Sequence, residues 1–155
     1  MSRAFVKEPD GLGAFDELPE RLVSPHPNLV TEEGLAHIER EIARLSRAYA
    51  EAQGSGDRAA LNAAARDLRY WSARGATAEL VPPPPDKDEV RFGSRVTFER
   101  ADGRRQSYRI VGEDEADPAN GTLSYVSPLA RALIGKSTGD TAHQGQEEIE
   151  ILAID

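Results

Sequence analysis

The sequence predicts an α+β protein: an antiparallel helical hairpin followed by a small antiparallel β domain with one short helix. Two observations carry that prediction. Apolar residues recur at heptad spacing twice between residues 30 and 81, with a glycine-rich break between the two runs. Beyond a run of four prolines the apolar period changes to two, the period of a half-buried strand.

Residues 1–29 contain Pro9, Pro19, Pro25 and Pro27 among glycines and acidic residues. That composition buries little apolar surface, so a flexible N-terminal tail is expected. Phe5, Leu12 and Phe15 are the groups with which it would dock, if it docks. Residues 30–81 are expected to form the antiparallel coiled-coil hairpin. Leu35, Ile38, Ile42, Leu45, Tyr49 and Ala52 make the first seam, with Ala48 as an alternative to Tyr49. The second is Leu61, Ala64, Leu68, Trp71, Gly75 and Ala78. Thr31 is placed as N-cap, with Glu32 and Glu33 where the helix dipole favours negative charge. Val30 and Leu35 occupy the positions of a hydrophobic staple. Gly54-Ser55-Gly56 breaks the first helix and Asp57 caps the second.

Pro82 to Pro85 stop helix formation and favour an extended chain, so residues 82–89 read as a stiff linker. In residues 90–155, Val96 and Phe98 alternate with polar residues, Asp102-Gly103 offers a hairpin turn, and Tyr108 and Ile110 alternate on the return strand. Asn120-Gly121 marks a second turn before Leu123–Val126. Ser127 and Pro128 open a short helix as N-cap and first residue, with Leu129, Leu133 and Ile134 as its buried face and Gly135 as its end. Ile149–Ile154 closes the chain as an apolar strand.

Composition excludes several classes of function. No cysteine is present, which removes disulfides and thiolate metal sites. His26, His37 and His143 are too dispersed in sequence to suggest a metal set. The formal charge is −8, with 3 basic and 5 acidic residues in 1–29, 7 and 8 in 30–81, and 9 and 14 in 82–155. Such a chain has no long-range attraction to a phosphate backbone, so autonomous nucleic-acid binding is not expected and a protein partner fits better. Met1–Gly11 lacks the apolar run of a signal peptide, and no stretch approaches a membrane span. A cytoplasmic, monomeric protein is expected.

The segments Tyr108-Arg-Ile-Val-Gly-Glu-Asp-Glu-Ala-Asp117 and Ser127-Pro-Leu-Ala-Arg-Ala-Leu-Ile-Gly-Lys136, followed by Gly139-Asp140, resemble the C-terminal domain of GreA/GreB transcription factors. Phe92-Gly93-Ser94 and Glu150-Ile-Leu152 fit the same pattern, Thr31-Glu-Glu-Gly-Leu35 resembles the start of the family's coiled coil, and Gly56-Asp57-Arg58 resembles its tip. The resemblance implies an FKBP-like C-terminal domain that binds core RNA polymerase at the rim of its secondary channel. It further implies a coiled coil inserted so that an Asp and a Glu at the tip help to hold a second Mg²⁺ in the polymerase active centre. That ion activates water to cut backtracked RNA, a role suited to a hard cation held by carboxylates. No cofactor of the chain's own is implied.

This sequence departs from the family at the tip. Asp57 is retained, but Ala60 stands where the family has the Glu, and Leu61 stands where it has an Asn. Glu51 is the nearest substitute carboxylate, and Arg58 would repel a cation. Each arm also reads as about 8–10 residues short, or about 12–15 Å of helix. A short-hairpin relative, Rnk, has a similar architecture. The leading expectation is therefore a polymerase-binding elongation regulator acting at the secondary channel without efficient transcript cleavage. The alternative is a cleavage factor that rescues backtracked polymerase with Asp57 and Glu51. Ser127, Pro128, Asp114 and Glu115 are the expected polymerase contacts, and Glu113 to Asp117 read as a solvated acidic loop rather than a calcium site. Peptidyl-prolyl isomerase activity, the enzymatic alternative for such a domain, would have to use Phe92, Phe98, Tyr108 and Tyr125 as its aromatic pocket.

Overall fold

The computed structural model describes residues 18–155. Phe5, Leu12 and Phe15 lie outside the described residues. The chain divides into two compact units: Ile38–Ala76 with the residues through Val23, and Ser24–His37 with Thr77–Asp155.

The first unit holds the body of the hairpin, whose first helix begins in the second unit. Helix α1 runs Glu32–Ser55 and helix α2 runs Arg58–Thr77. Thr31 caps α1, its Oγ1 accepting from the Gly34 N–H at 3.1 Å. At the other end Gly56 takes φ +72°, and the Asp57 N–H reaches back to the Ala52 carbonyl at 3.1 Å. That is a Schellman ending, which the missing Cβ of glycine permits. Ile38, Leu45, Ala52, Ala64 and Trp71 are buried along the two seams. At Gly75 an added Cβ would stand 3.0 Å from Ile42 Cδ1, so the small residue sets how closely the arms approach there. Helix α2 also buries Arg74, at 1% exposure, a position that periodicity alone does not single out.

The second unit holds two sheets. Strand β1 (Leu29–Val30) pairs in parallel with β2 (Glu79–Leu80), where the seam reading extends the helix to Ala78. The larger sheet contains β3 (Arg95–Arg100), β4 (Arg105–Val111), β5 (Thr122–Ser124), β6 (Thr141–Gln144) and β7 (Glu147–Ile154), in the order β5-β4-β3-β7-β6. Its pairs are antiparallel except β4 with β5, which run parallel; the sheet is mixed, not purely antiparallel. Two 3-10 turns, Glu113–Glu115 and Pro118–Asn120, fill the connection that brings β5 back beside β4 in the same direction. Short helix α3 (Pro128–Leu133) contributes Leu129, Ala130 and Leu133 to a core with Val90, Val96, Phe98, Ile110, Ile149 and Ile151. Ile134, expected on its buried face, is 39% exposed because the helix ends there and Ala130 takes the inward position.

Candidate functional site

The tip of the hairpin carries one carboxylate, and that group is already employed. Asp57 Oδ1 accepts from the Ala60 N–H at 3.1 Å and the Asp57 carbonyl accepts from the Leu61 N–H at 2.9 Å, so Asp57 is the N-cap of α2. Ala60, where the resemblance expects a Glu, is exposed. Glu51 is exposed on α1 and lines a shallow recess with Arg44, Arg47 and Ala48. Its recess neighbours are thus two guanidinium groups, which oppose rather than assist cation binding. Among the described residues no group of three or more His, Asp or Glu side chains is placed to hold a metal ion.

In the second unit Ser127 caps α3, its Oγ accepting from the Ala130 N–H at 3.2 Å, and Pro128 follows, exposed, at the first helical position. Asp114 lies half-buried in the 3-10 turn that precedes β5. Glu115, in the same turn, faces inward to other parts of its own unit. Its Oε2 accepts from the Thr31 N–H and the Gly112 N–H, each at 3.1 Å, and its Oε1 accepts from Thr31 Oγ1. A Cβ on Gly34 would lie 2.1 Å from the Glu115 carboxyl carbon, and one on Gly112 would lie 2.4 Å from the Leu29 carbonyl oxygen. Both glycines leave the space in which this carboxylate grips the start of α1. Sequence inspection had no signal for the grip, because Thr31 and Glu115 are 84 residues apart.

Two further contacts hold the same stretch. Tyr125 donates its hydroxyl to the Pro27 carbonyl, and Arg109 pairs with Glu33 at 3.4 Å. The Glu33 carboxyl is held below its ordinary value by its own backbone N–H and by the Arg109 guanidinium. The aromatic residues of this unit serve structure: Phe98 is fully buried and stacks on Tyr108, and Phe92 meets Tyr125 edge to face. The recess bounded by Glu99, Arg100, Thr141, Glu148 and Glu150 has no aromatic lining.

A capped two-helix hairpin joined to a small mixed-sheet unit with a capped short helix defines a two-part factor with no metal cluster among its described residues. Comparison with known proteins gives its family. Residues 85–155 match the family described as "Transcription elongation factor, GreA/GreB, C-term". A GreB transcription elongation factor of Neisseria meningitidis is 42% identical over 96 residues, covering 58% of this chain and 59% of that protein. A GreA transcription elongation factor of Anaeromyxobacter sp. (strain K) is 34% identical over 151 residues, covering 81% of this chain and 90% of that protein. Among solved structures, the GreA factor homolog Gfh1 of Thermus thermophilus matches 84% of this chain and 99% of its own, at 22% identity and a TM-score of 0.41. The chain belongs to the GreA/GreB family of transcription elongation factors. It spans less than two thirds of the length of the Neisseria GreB that it matches.

Proposed function

We propose that this chain is an RNA polymerase-binding regulator that acts at the secondary channel without efficient transcript cleavage. One contrast carries the reading: the chain combines a C-terminal unit bearing the family signature with a hairpin tip whose single carboxylate, Asp57, is committed to capping α2. Family membership supports polymerase as the partner, and Ser127, Pro128 and Asp114 are the residues offered for the contact. Glu115 remains in the proposed contact region, but its carboxylate reaches a partner only by giving up Thr31 and Gly112.

The shortened, Rnk-like hairpin is part of the proposal. In the comparison with the Anaeromyxobacter GreA, 81% of this 155-residue chain is laid along 151 aligned positions, so that relative carries residues with no counterpart here. Helix α2, at 20 residues, extends about 30 Å. Any Mg²⁺ in the reaction would belong to the polymerase, to which Asp57 would lend at most its remaining oxygen. The chain is a factor and not itself an enzyme, and the structural use of Phe98, Tyr108 and Tyr125 argues against an isomerase pocket.

A second reading, a true cleavage factor, has one observation in its favour: Asp57 is exposed at the tip. Both are tested on a backtracked elongation complex, with polymerase binding followed in parallel. The regulator reading expects binding with no shortening of the RNA above the intrinsic rate, and cleavage gained or raised in Ala60→Glu. Cleavage by wild type that disappears in Asp57→Ala would establish the second reading. Failure to bind polymerase at micromolar concentration would defeat both.

A further inference from the structure

The residues just before Ser24 lie along α2, and their side chains are aimed at it. Glu20 takes the Arg69 guanidinium through both carboxylate oxygens, with Nε at 3.0 and 3.1 Å. Arg21 Nη1 pairs with Asp67 Oδ1 at 3.4 Å, and its guanidinium sits 4.0 Å above the Tyr70 ring and 5.8 Å from the Trp71 ring. Tyr70 and Trp71 themselves meet edge to face at 5.3 Å. These contacts all fall within one unit of the molecule. They place adjacent strap residues of opposite charge against the Arg69/Asp67 pair, each on its complement. The outward groups are apolar: Leu22 is 93% exposed and Val23 47%.

We infer that residues 18–23 are a detachable strap that masks the Asp67–Trp71 face of the hairpin, and that its release uncovers that face for a partner. Charge pairs in solvent are weak and screened by salt, and the guanidinium over the half-buried Tyr70 ring adds a modest further attraction. No backbone ladder joins the strap to α2, since residues 18–23 belong to no strand. The latch is therefore specific in its pairing yet light enough to open. A surface that offers an acidic group to Arg69 competes with Glu20 directly, and the covered face, with its two rings and Asp67, is amphipathic enough to bind another protein. The role in transcription rests on the polymerase reading above; the masking itself does not.

Trp71 is the sole tryptophan; it is buried in the seam and has the Arg21 guanidinium 5.8 Å from its ring, so its fluorescence senses release of the strap on that side. In the full chain, Glu20→Arg and Arg21→Ala should each raise Trp71 quenching by acrylamide and shift its emission to longer wavelength. Glu20→Arg combined with Arg69→Glu should restore both signals. Wild type should approach the open variants at about 1 M salt, where the Debye length is about 3 Å. Affinity for core polymerase should rise about three- to ten-fold in both single variants, as expected for a strap closed in two thirds to nine tenths of molecules. The two substitutions change net charge in opposite directions, so a shared gain cannot come from charge alone. Unchanged quenching in both variants, or raised quenching with unchanged or weaker polymerase binding, would overturn the inference. Absence of binding by every form, wild type included, would strike the polymerase reading instead and leave the quenching to decide whether the strap exists.

Discussion

Gly34→Ala is the most informative single change in this molecule, because two effects of opposite sign meet at one Cβ. In an α-helix the substitution ordinarily stabilises by about 0.8–1 kcal/mol. Here the added carbon would stand 2.1 Å from Glu115 Cδ and 2.3 Å from its Oε2, so the carboxylate has to leave. With it go the acceptors for the Thr31 and Gly112 N–H groups, both on buried residues. An orphaned buried donor costs about 1–3 kcal/mol, so losing both acceptors costs about 2–6 kcal/mol and the net destabilisation is about 1–5 kcal/mol. Glu115→Ala should cost a similar amount. The decisive form is the double variant: the three atoms nearest the new Cβ all belong to the Glu115 side chain, so Gly34→Ala on that background should be neutral or stabilising by up to about 1 kcal/mol. Urea unfolding followed by circular dichroism measures the cycle, and amide exchange at Thr31 and Gly112 locates it. Equal cost of Gly34→Ala in both backgrounds would refute the carboxylate grip.

Other expectations follow from the same geometry. Asp57→Ala should destabilise the hairpin by about 1 kcal/mol through loss of the α2 cap, seen as a lower midpoint in thermal melts, while polymerase binding is retained. Phe98→Ala, at a site of 0% exposure in the sheet core, should cost about 3–5 kcal/mol and be read in the β unit by amide exchange. Glu20, Glu33 and Asp102 are each held below their ordinary values, by Arg69, by the residue's own N–H with Arg109, and by the Arg104 backbone and side chain respectively. A depressed folded pKa adds stability above the unfolded value and loses it as pH falls through the folded one. Stability should therefore be flat in this respect from neutrality to about pH 5 and fall below about pH 4, with the fall shallower in Arg109→Gln; a steeper fall in that variant would reverse the assignment for Glu33.

Much of the fold was legible because its signals are local. Thr31, Gly56, Asp57, Ser127 and Pro128 act within a helical turn of themselves, and each occupies the cap or turn position that its chemistry dictates. The strands from Arg95 to Val111 followed from alternation and a two-residue turn signal. What escaped was non-local or lacked contrast. Strand β6 reads Thr-Ala-His-Gln, with one small apolar residue inward, and offers no pattern to find. The parallel placement of β5 is set by a connection of two 3-10 turns, which strand periodicity does not encode. At the site, Asp57 and Ser127 were recognised as caps from residue type, whereas the inward use of Glu115 depends on a partner 84 residues away. The pairing of Glu20 and Arg21 with α2 likewise spans 46 to 49 residues, across which acidic and basic side chains are too common to nominate one another.

The parallel pair of β1 and β2 has a consequence for how such a protein can change. Both ends of the hairpin emerge from the unit that contains the sheets: the chain leaves it after His37 and rejoins it at Thr77. The helical arms are thus an insertion into a unit that closes behind them, with the Glu79 and Val81 N–H groups bonded to the carbonyls of Asn28 and Val30. Matched additions or deletions of a heptad in each arm would preserve the seam and leave that closure untouched. Reach becomes a variable that a lineage, or an engineer, can reset in steps of about 10 Å without redesigning the base.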